Sequence, residues 1–350
     1  MKTYRWLTLS AVVLSAVAAF TQTSSNVTVF ATGFNNPRGL KWGPDGNLYV
    51  AEAGTGGGTS TAGQCDQVVA PVGPYTGGTS ARISKVSSSG VRSTLVQELA
   101  SARDAMGDIL GVADVAFIGP QLYAVTAGGG CSHGHPNSPN AIIQVNADGT
   151  WTRLANLSAF QALHPVANPN PLDYEPDGTW YSLISVNNNL YAVEPNHGEV
   201  DEITPEGIVS RLIDVSQTQG HVVPTAIART KTGFYVSNLD TFPIVPGSSA
   251  LYTINNVGGV TKVQTGLTTV VGLVVIGTST YFLELSTDPG FPAPGKGAVV
   301  RLNGNKVTTI ADGLTAPTGI TVGTDGALYV SNFGTGAPAG AGQIVRITLP

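Results

Sequence analysis

His133 and His135 lie one residue apart in CSHGHPNSP, and an H-x-H pair in a loop can bind zinc or copper through neutral imidazoles. A third ligand for the pair would come from His164, His197 or Glu194. No HExxH or CxxC accompanies it, and a Gly- and Pro-rich setting is equally that of a surface turn. A second set is spread along the chain. Glu52, Thr126, Glu194, Asn238, Glu284 and Asn332 each close a short apolar segment that carries a tyrosine. Hard oxygen donors gathered from several segments could hold Ca²⁺. The three acids are a charge excess, and crowded like charges raise one another's pKa or recruit a cation. The competing reading is that each of the six accepts backbone N–H bonds and fixes its own loop. Asp45, Asp148, Asp177 and Asp325 each stand in an Asp-Gly pair, which is turn chemistry rather than paired acid catalysis. The sequence holds no GxSxG and no P-loop, and its Gly-rich runs are not followed by a helix that would make them phosphate cradles.

The elements that position these residues form a repeat. LYVAE (48–52), LYAVT (122–126), LYAVE (190–194), FYVSN (234–238), YFLE (281–284) and LYVSN (328–332) share one pattern. Their tyrosines lie 74, 68, 44, 46 and 48 residues apart. A unit near 45 residues with strands and Gly-rich turns is one propeller blade, and the two long spacings carry insertions. The fold class is therefore all-β, a six-bladed β-propeller of the NHL/TolB-like kind. Each blade runs a-b-c-d. The last unit stops one strand short, and VTVFAT (27–32) matches the d strands of the other units. The N-terminal strand is thus expected to complete the last blade and close the ring, which removes exposed sheet edges. Asp114 aligns with Gly39, Ser182, Ala226, Gly272 and Gly319 at the a-strand starts, so it is the one charge at that level of the channel. Arg38 is expected within reach, giving either a charged ligand site or an ion pair that plugs the channel.

The a–b and c–d turns are short, and they fall on one face. The b–c and d–a connections fall on the other and hold the insertions 54–80, 128–140, 157–177, 239–249, 286–297 and 333–342. All five histidines are there, with His133 and His135 in blade two, His197 in blade three, and His164 and His221 in the connections into blades three and four. Long loops carry function more often than tight turns, so this is the expected working face. Aromatic residues on it, Tyr75, Phe160, Tyr174, Trp180, Phe242, Phe291 and Phe333, are divided between ligand stacking and packing beneath the insertions.

Residues 1–25 read as a secretory signal peptide, with Lys2 and Arg5 before an apolar run and small residues at its end. Residues 26–350 then form one propeller domain. Cleavage moves the formal charge from −5 to −7, since 15 bases then face 22 acids. An acidic chain with scattered bases is a poor nucleic-acid binder. No later segment is long and apolar enough to span a membrane. Two cysteines in an exported chain predict one disulfide, and Cys65 and Cys131 fall in loops of neighbouring blades on one face.

The segments ATGFNNPRGLKWGPDGNLYVAEAG, VVPTAIARTKTGFYVSNLDTFPIVPGSSALYTI and GLTAPTGITVGTDGALYVSNFGTG resemble the ScyD/ScyE family, exported propeller proteins named for scytonemin biosynthesis clusters. The likeness covers about residues 27–350 and is most specific in LDTFPIVPG and the Cys-bearing loops. It implies a six-bladed propeller and a periplasmic or secreted location, with no catalytic residue to carry over. The chain departs from the family pattern in DYEPDGTWYSLISV of blade three and at Gly272, where an Asp is common. Two functions follow. One is an exported, monomeric, non-catalytic binding or assembly propeller that takes a small molecule or protein on its loop-rich face. The other is a Ca²⁺- or Zn²⁺-dependent hydrolase, lactonase or lyase with its site at the channel mouth. A quinone-dependent sugar dehydrogenase would need a His and Arg cluster over the channel, for which only Arg38 is a candidate.

Overall fold

A computed structural model describes residues 23–255, 258–290 and 293–350. Most of the expected signal peptide, and Phe291, lie outside the described residues. Six antiparallel sheets stand around a central axis. Their innermost strands are Pro37–Trp42, Val112–Ile118, Ser182–Val186, Pro224–Arg229, Val270–Ile276 and Gly319–Val322. Each adjoins the next, and the last adjoins the first, so the ring is closed. The LYV-type segments are the second strands, and nearly every residue in them is buried. They lie inside their own sheet and between two neighbouring sheets, so both faces need apolar side chains. That is why these segments read as continuous apolar runs rather than alternating ones.

The N-terminal strand Val27–Phe34 closes the last blade as expected, pairing antiparallel with Gly342–Ile347 from Val27 opposite Ile347 to Phe34 opposite Gly342. Blade-to-blade contact on the turn side depends on glycine. Gly90, Gly149 and Gly207 open the fourth strands of blades one to three at φ 84°, 85° and 84°. A Cβ there would come within 2.3, 2.1 and 2.3 Å of the carbonyl oxygens of Phe30, Leu95 and Leu154 on the preceding blade. Only glycine meets both demands.

Blade one departs from the sequence expectation. The third strand begins at Thr76, inside the segment read as loop, and the fourth runs on to Arg103. Ile109–Leu110 adds a fifth strand. The extension pairs Gly77 with Ala102 and Gly78 with Ser101. Glycines pair through backbone alone and leave no apolar alternation to read. Among the described residues no helix is long and apolar enough to cross a membrane.

Candidate functional site

The insertions are braced against one another around a short segment, Asp173-Tyr174-Glu175, in the connection between blades two and three. Three of the five histidines meet it. His221 Nε2 lies 2.7 Å from Asp173 Oδ2. His197 Nε2 lies 2.9 Å from the Glu175 carbonyl, and its ring is 4.7 Å from that of Tyr174. His133 is fully buried, with Nδ1 2.6 Å from the Gly129 carbonyl and Nε2 3.1 Å from Glu175 Oε2. The other carboxylate oxygen, Oε1, accepts from the Tyr75 hydroxyl at 3.2 Å. Glu175 thus joins the blade-one insertion, through Tyr75, to the blade-two insertion, through His133.

Burial pushes the Glu175 carboxyl up, with His133 and Tyr75 opposing. Burial pulls the His133 imidazole down, but the Glu175 carboxylate and the Gly129 carbonyl outweigh it and hold it above its ordinary value. The two directions agree: the pair keeps its proton to a higher pH than either group would in water. Burial also pushes the Tyr75 hydroxyl far up, with Glu175 adding to it.

Asp177 is more than the turn residue expected of an Asp-Gly pair. Gly178 N–H does close a turn onto the Glu175 carbonyl at 2.9 Å. The Asp177 carboxylate also accepts from Ser132 N–H and Oγ, both at 2.7 Å. Its carbonyl accepts from Ser158 Oγ at 2.7 Å and Asn140 Nδ2 at 3.2 Å. The disulfide expected between Cys65 and Cys131 is present, with Cα atoms 6.3 Å apart. It sits two residues before His133 and joins the same two insertions that Glu175 joins from within.

His133 and His135 do not act as a pair. His135 turns away, with Nε2 3.3 Å from the Ser101 carbonyl. His164 ends the short helix Leu157–Leu163, bonds the Phe160 carbonyl at 2.9 Å and stacks on the Phe160 ring at 4.4 Å.

The six polar residues that close the second strands are each used within their own blade. Glu52 accepts from Asn35 N–H at 2.6 Å and pairs with Arg82 at 2.7 Å. Glu194 accepts from Thr179 N–H at 2.8 Å and His197 N–H at 2.6 Å. Glu284 and Asn332 accept from Thr268 and Thr315 N–H, both at 2.8 Å. Asn238 takes Ala250 N–H at 2.7 Å and donates to the Val222 carbonyl at 2.8 Å, and Thr126 takes Ala141 N–H at 2.9 Å. Five of the six, all but Thr126, thereby hold the incoming connection from the preceding blade. Among the described residues no three His, Cys, Asp or Glu side chains gather as a metal-ligand group. Burial pushes the Glu284 carboxyl up to about 7, against the Thr268 amide.

Asp114 faces the central tunnel, a cavity of ≈ 30 Å³ with room for a water or two. Arg38 does not pair with it. Its guanidinium binds Asp108 Oδ1 at 3.1 Å and the Ile109 carbonyl. The reason is local: Ile109–Leu110 is the extra strand of blade one, and it brings Asp108 beside Arg38. Asp114 bonds the Val115 and Leu183 amides instead, both at 2.8 Å. Burial pushes it up to about 6, with Lys41 opposing.

Sequence reasoning missed Glu175, Asp173 and Asp108, and left Tyr75 and Trp180 divided between ligand stacking and packing beneath the insertions. Both rings are buried, Trp180 with its Nε1 3.0 Å from Asp201 Oδ2. The signal for Glu175 was the pair of acids flanking Tyr174 in a chain of only 11% charged residues. Several apolar side chains on the insertions are exposed: Leu172 is 84% exposed and Leu163 77%, with Tyr174, Phe242 and Val245 also open.

No family model and no curated protein matches the sequence. Solved structures do match. A protein of Thermus thermophilus described as an oxidoreductase (glucose dehydrogenase) superposes with a TM-score of 0.57 at 16% identity, over 92% of this chain and 99% of the other. A gluconolactonase of Xanthomonas campestris gives 0.53 at 11%, over 93% and 89%. A Bacteroides thetaiotaomicron protein of unknown function gives 0.58 at 11%, over 93% and 76%. At these identities the likeness establishes the six-bladed ring and brings no activity with it.

Proposed function

We propose that this chain is an exported, non-catalytic binding propeller that receives a partner on its insertion face; the resemblance to the ScyD/ScyE family supports the exported location. The observation that carries the reading is the brace. Loops from blades one to three are tied by a disulfide, by the Tyr75–Glu175–His133 contacts and by Asp177, and they hold large apolar side chains out to solvent. A pre-organised surface loses less entropy on binding than loose loops do. The ring carboxylates, which a channel-mouth metal would need, are engaged with backbone amides and, in Glu52, with Arg82. The disulfide suits an oxidising compartment outside the cytoplasm.

The test places a photo-crosslinking residue at Leu172 or Phe242, and at Ile208 on the opposite turn side, in the producing cell. Discrete adducts from the first two positions and none from Ile208 support the reading. Adducts from Ile208 alone contradict it. A second outcome separates the enzyme alternative. If Ca²⁺ or Zn²⁺ raises the melting temperature, and replacing Glu52, Glu194 and Glu284 with Gln abolishes the rise, the ring binds metal and the non-catalytic reading fails.

A further inference from the structure

A second surface lies away from the insertion face, between the outer strands of blades one and two. Thr94, Leu95 and Gln97 of one strand face Asp148, Thr150 and Trp151 of the next across a groove of ≈ 600 Å³. The groove is shallow and open to solvent, with seven residues lining it. Trp151 opens the outer strand of blade two and is 44% exposed. It is the one tryptophan among the described residues that is classed as exposed: Trp180 is buried and Trp42 partly so. Asp148 is held at the groove edge, its Oδ1 accepting from Thr150 N–H at 2.9 Å and Oγ1 at 2.6 Å.

The backbone beside the groove is unusual. Ala81 pairs with Leu99 and Ile83 with Val96, so Gln97 and Glu98 bulge opposite Arg82 alone. Glu98 has φ 62°. The same place in the outer strands of blades four, five and six is Gly266, Gly313 and Gly33, at φ 84°, 76° and 86°. Each stands one residue before the buried Leu267, Leu314 or Phe34, as Glu98 stands before Leu99. In blade one the left-handed position that three other blades give to glycine is filled by an acid. A side chain there costs on the order of 1 kcal/mol or more. A bulge also re-aims the side chains on it.

We propose that this groove is a binding site for a neutral carbohydrate, with Trp151 as the stacking platform and Gln97 and Asp148 as partners for sugar hydroxyls. An indole face suits the C–H face of a pyranose, and its body is apolar where the surroundings are polar. Amide and carboxylate groups each offer two polar atoms to neighbouring hydroxyls, and hydrogen bonds to a charged acceptor are the stronger kind. Asp148 sets the charge preference as the one charged residue lining the groove: a carboxylate at its edge disfavours uronates and nucleic acids, so the ligand is an uncharged sugar. A single aromatic in a shallow, polar-edged groove is too small an apolar area for a protein partner.

The test uses the intact disulfide-bonded protein. It is run by affinity electrophoresis through gels of soluble neutral glucans and mannans. Calorimetry follows, with cello-, laminari- and manno-oligosaccharides, and with alginate oligosaccharides as the anionic control. At least one neutral series should bind and alginate should not. Trp151→Ala should weaken binding about tenfold or more. Gln97→Ala should weaken it several-fold, and neither should shift the melting temperature. Glu98→Gly should raise the melting temperature, because glycine is at ease at that φ. Failure of every neutral series, equal binding of alginate, undiminished binding by Trp151→Ala, or self-association through the groove would each overturn the proposal.

Discussion

The two faces of the ring use acidic side chains in opposite ways. On the turn side Asp45 and Asp325 sit in tight turns near solvent. Each accepts from the tyrosine of its own repeat, Tyr49 at 2.9 Å and Tyr329 at 3.1 Å. Each also pairs with a base on the third strand, Lys85 at 2.8 Å and Arg346 at 2.8 Å. Burial tends to raise both carboxyls, but these partners outweigh it and hold them below the usual range. On the insertion side several acids are buried, although Asp288 pairs with Lys296 near solvent as the turn acids do. Burial pushes Glu175 and Glu284 up, and it does the same to Asp114 in the tunnel. In blade three, burial and the neighbouring Glu199 push the Asp201 carboxyl well above its ordinary value. Turn acids neutralise exposed bases at the hairpin ends. Insertion-side acids accept buried amides, or join loops that have no other common core.

The contrast has a pH consequence with opposite signs. A lowered carboxyl adds stability above its unfolded pKa, and this is lost as pH falls through the folded value. A raised carboxyl stays protonated longer in the native state. Its relative contribution is greatest at low pH and is lost as pH rises from the unfolded value to the folded one. For Glu284 that window runs from 4.5 to about 7, and for Asp114 from 3.8 to about 6. Native stability should therefore be greater near pH 5 than near pH 8.

The largest test of the contrast removes the centre of the brace. Glu175→Ala strips His133 and Tyr75 of their shared partner inside the protein, and should cost about 3–5 kcal/mol in denaturant unfolding. Glu175→Gln keeps an acceptor and should cost less. Opening the disulfide comes next: Cys65→Ser with Cys131→Ser should cost about 2–4 kcal/mol by thermal or denaturant melting. Glu284→Gln sharpens the comparison by its sign. It should stabilise by about 2 kcal/mol at pH 8 and do little at pH 4, because the carboxyl it replaces is then already neutral. Asp325→Asn on the turn face should cost no more than about 1 kcal/mol at pH 7, since the pair with Arg346 is solvent-exposed, and that cost should shrink as pH falls below the ordinary carboxylate value. A large Asp325 effect beside a small Glu175 effect would break the contrast.

The ring was legible because its information is local and repeated. The LYV segments carry strand, burial and blade spacing in five residues. The absent last strand pointed to Val27–Phe34, and the cysteines fell in loops that share a face. The brace was not legible. His133 and Glu175 are 42 residues apart, and Tyr75 and Glu175 are 100 apart, in insertions with no period. The ring side chains were recognised as a set, but their partners were only half foreseen. Most fix the connection arriving from the preceding blade, a contact that sequence spacing does not encode. Arg38 was matched to Asp114 by blade alignment, and the extra strand Ile109–Leu110 of blade one, too short to show a pattern, gave it Asp108 instead.

Hydrogen exchange of the oxidised native protein tests the central claim, that the insertions of blades one to three form one braced surface. The amides of Ser132, His135, Gly178 and Thr179 bond Asp177, Gly130, Glu175 and Glu194 at 2.7, 2.8, 2.9 and 2.8 Å. They should be protected nearly as well as the second-strand amides, and should lose that protection together in Glu175→Ala while blades four to six keep theirs. Exchange of these amides within the dead time in the unmodified protein would contradict the account.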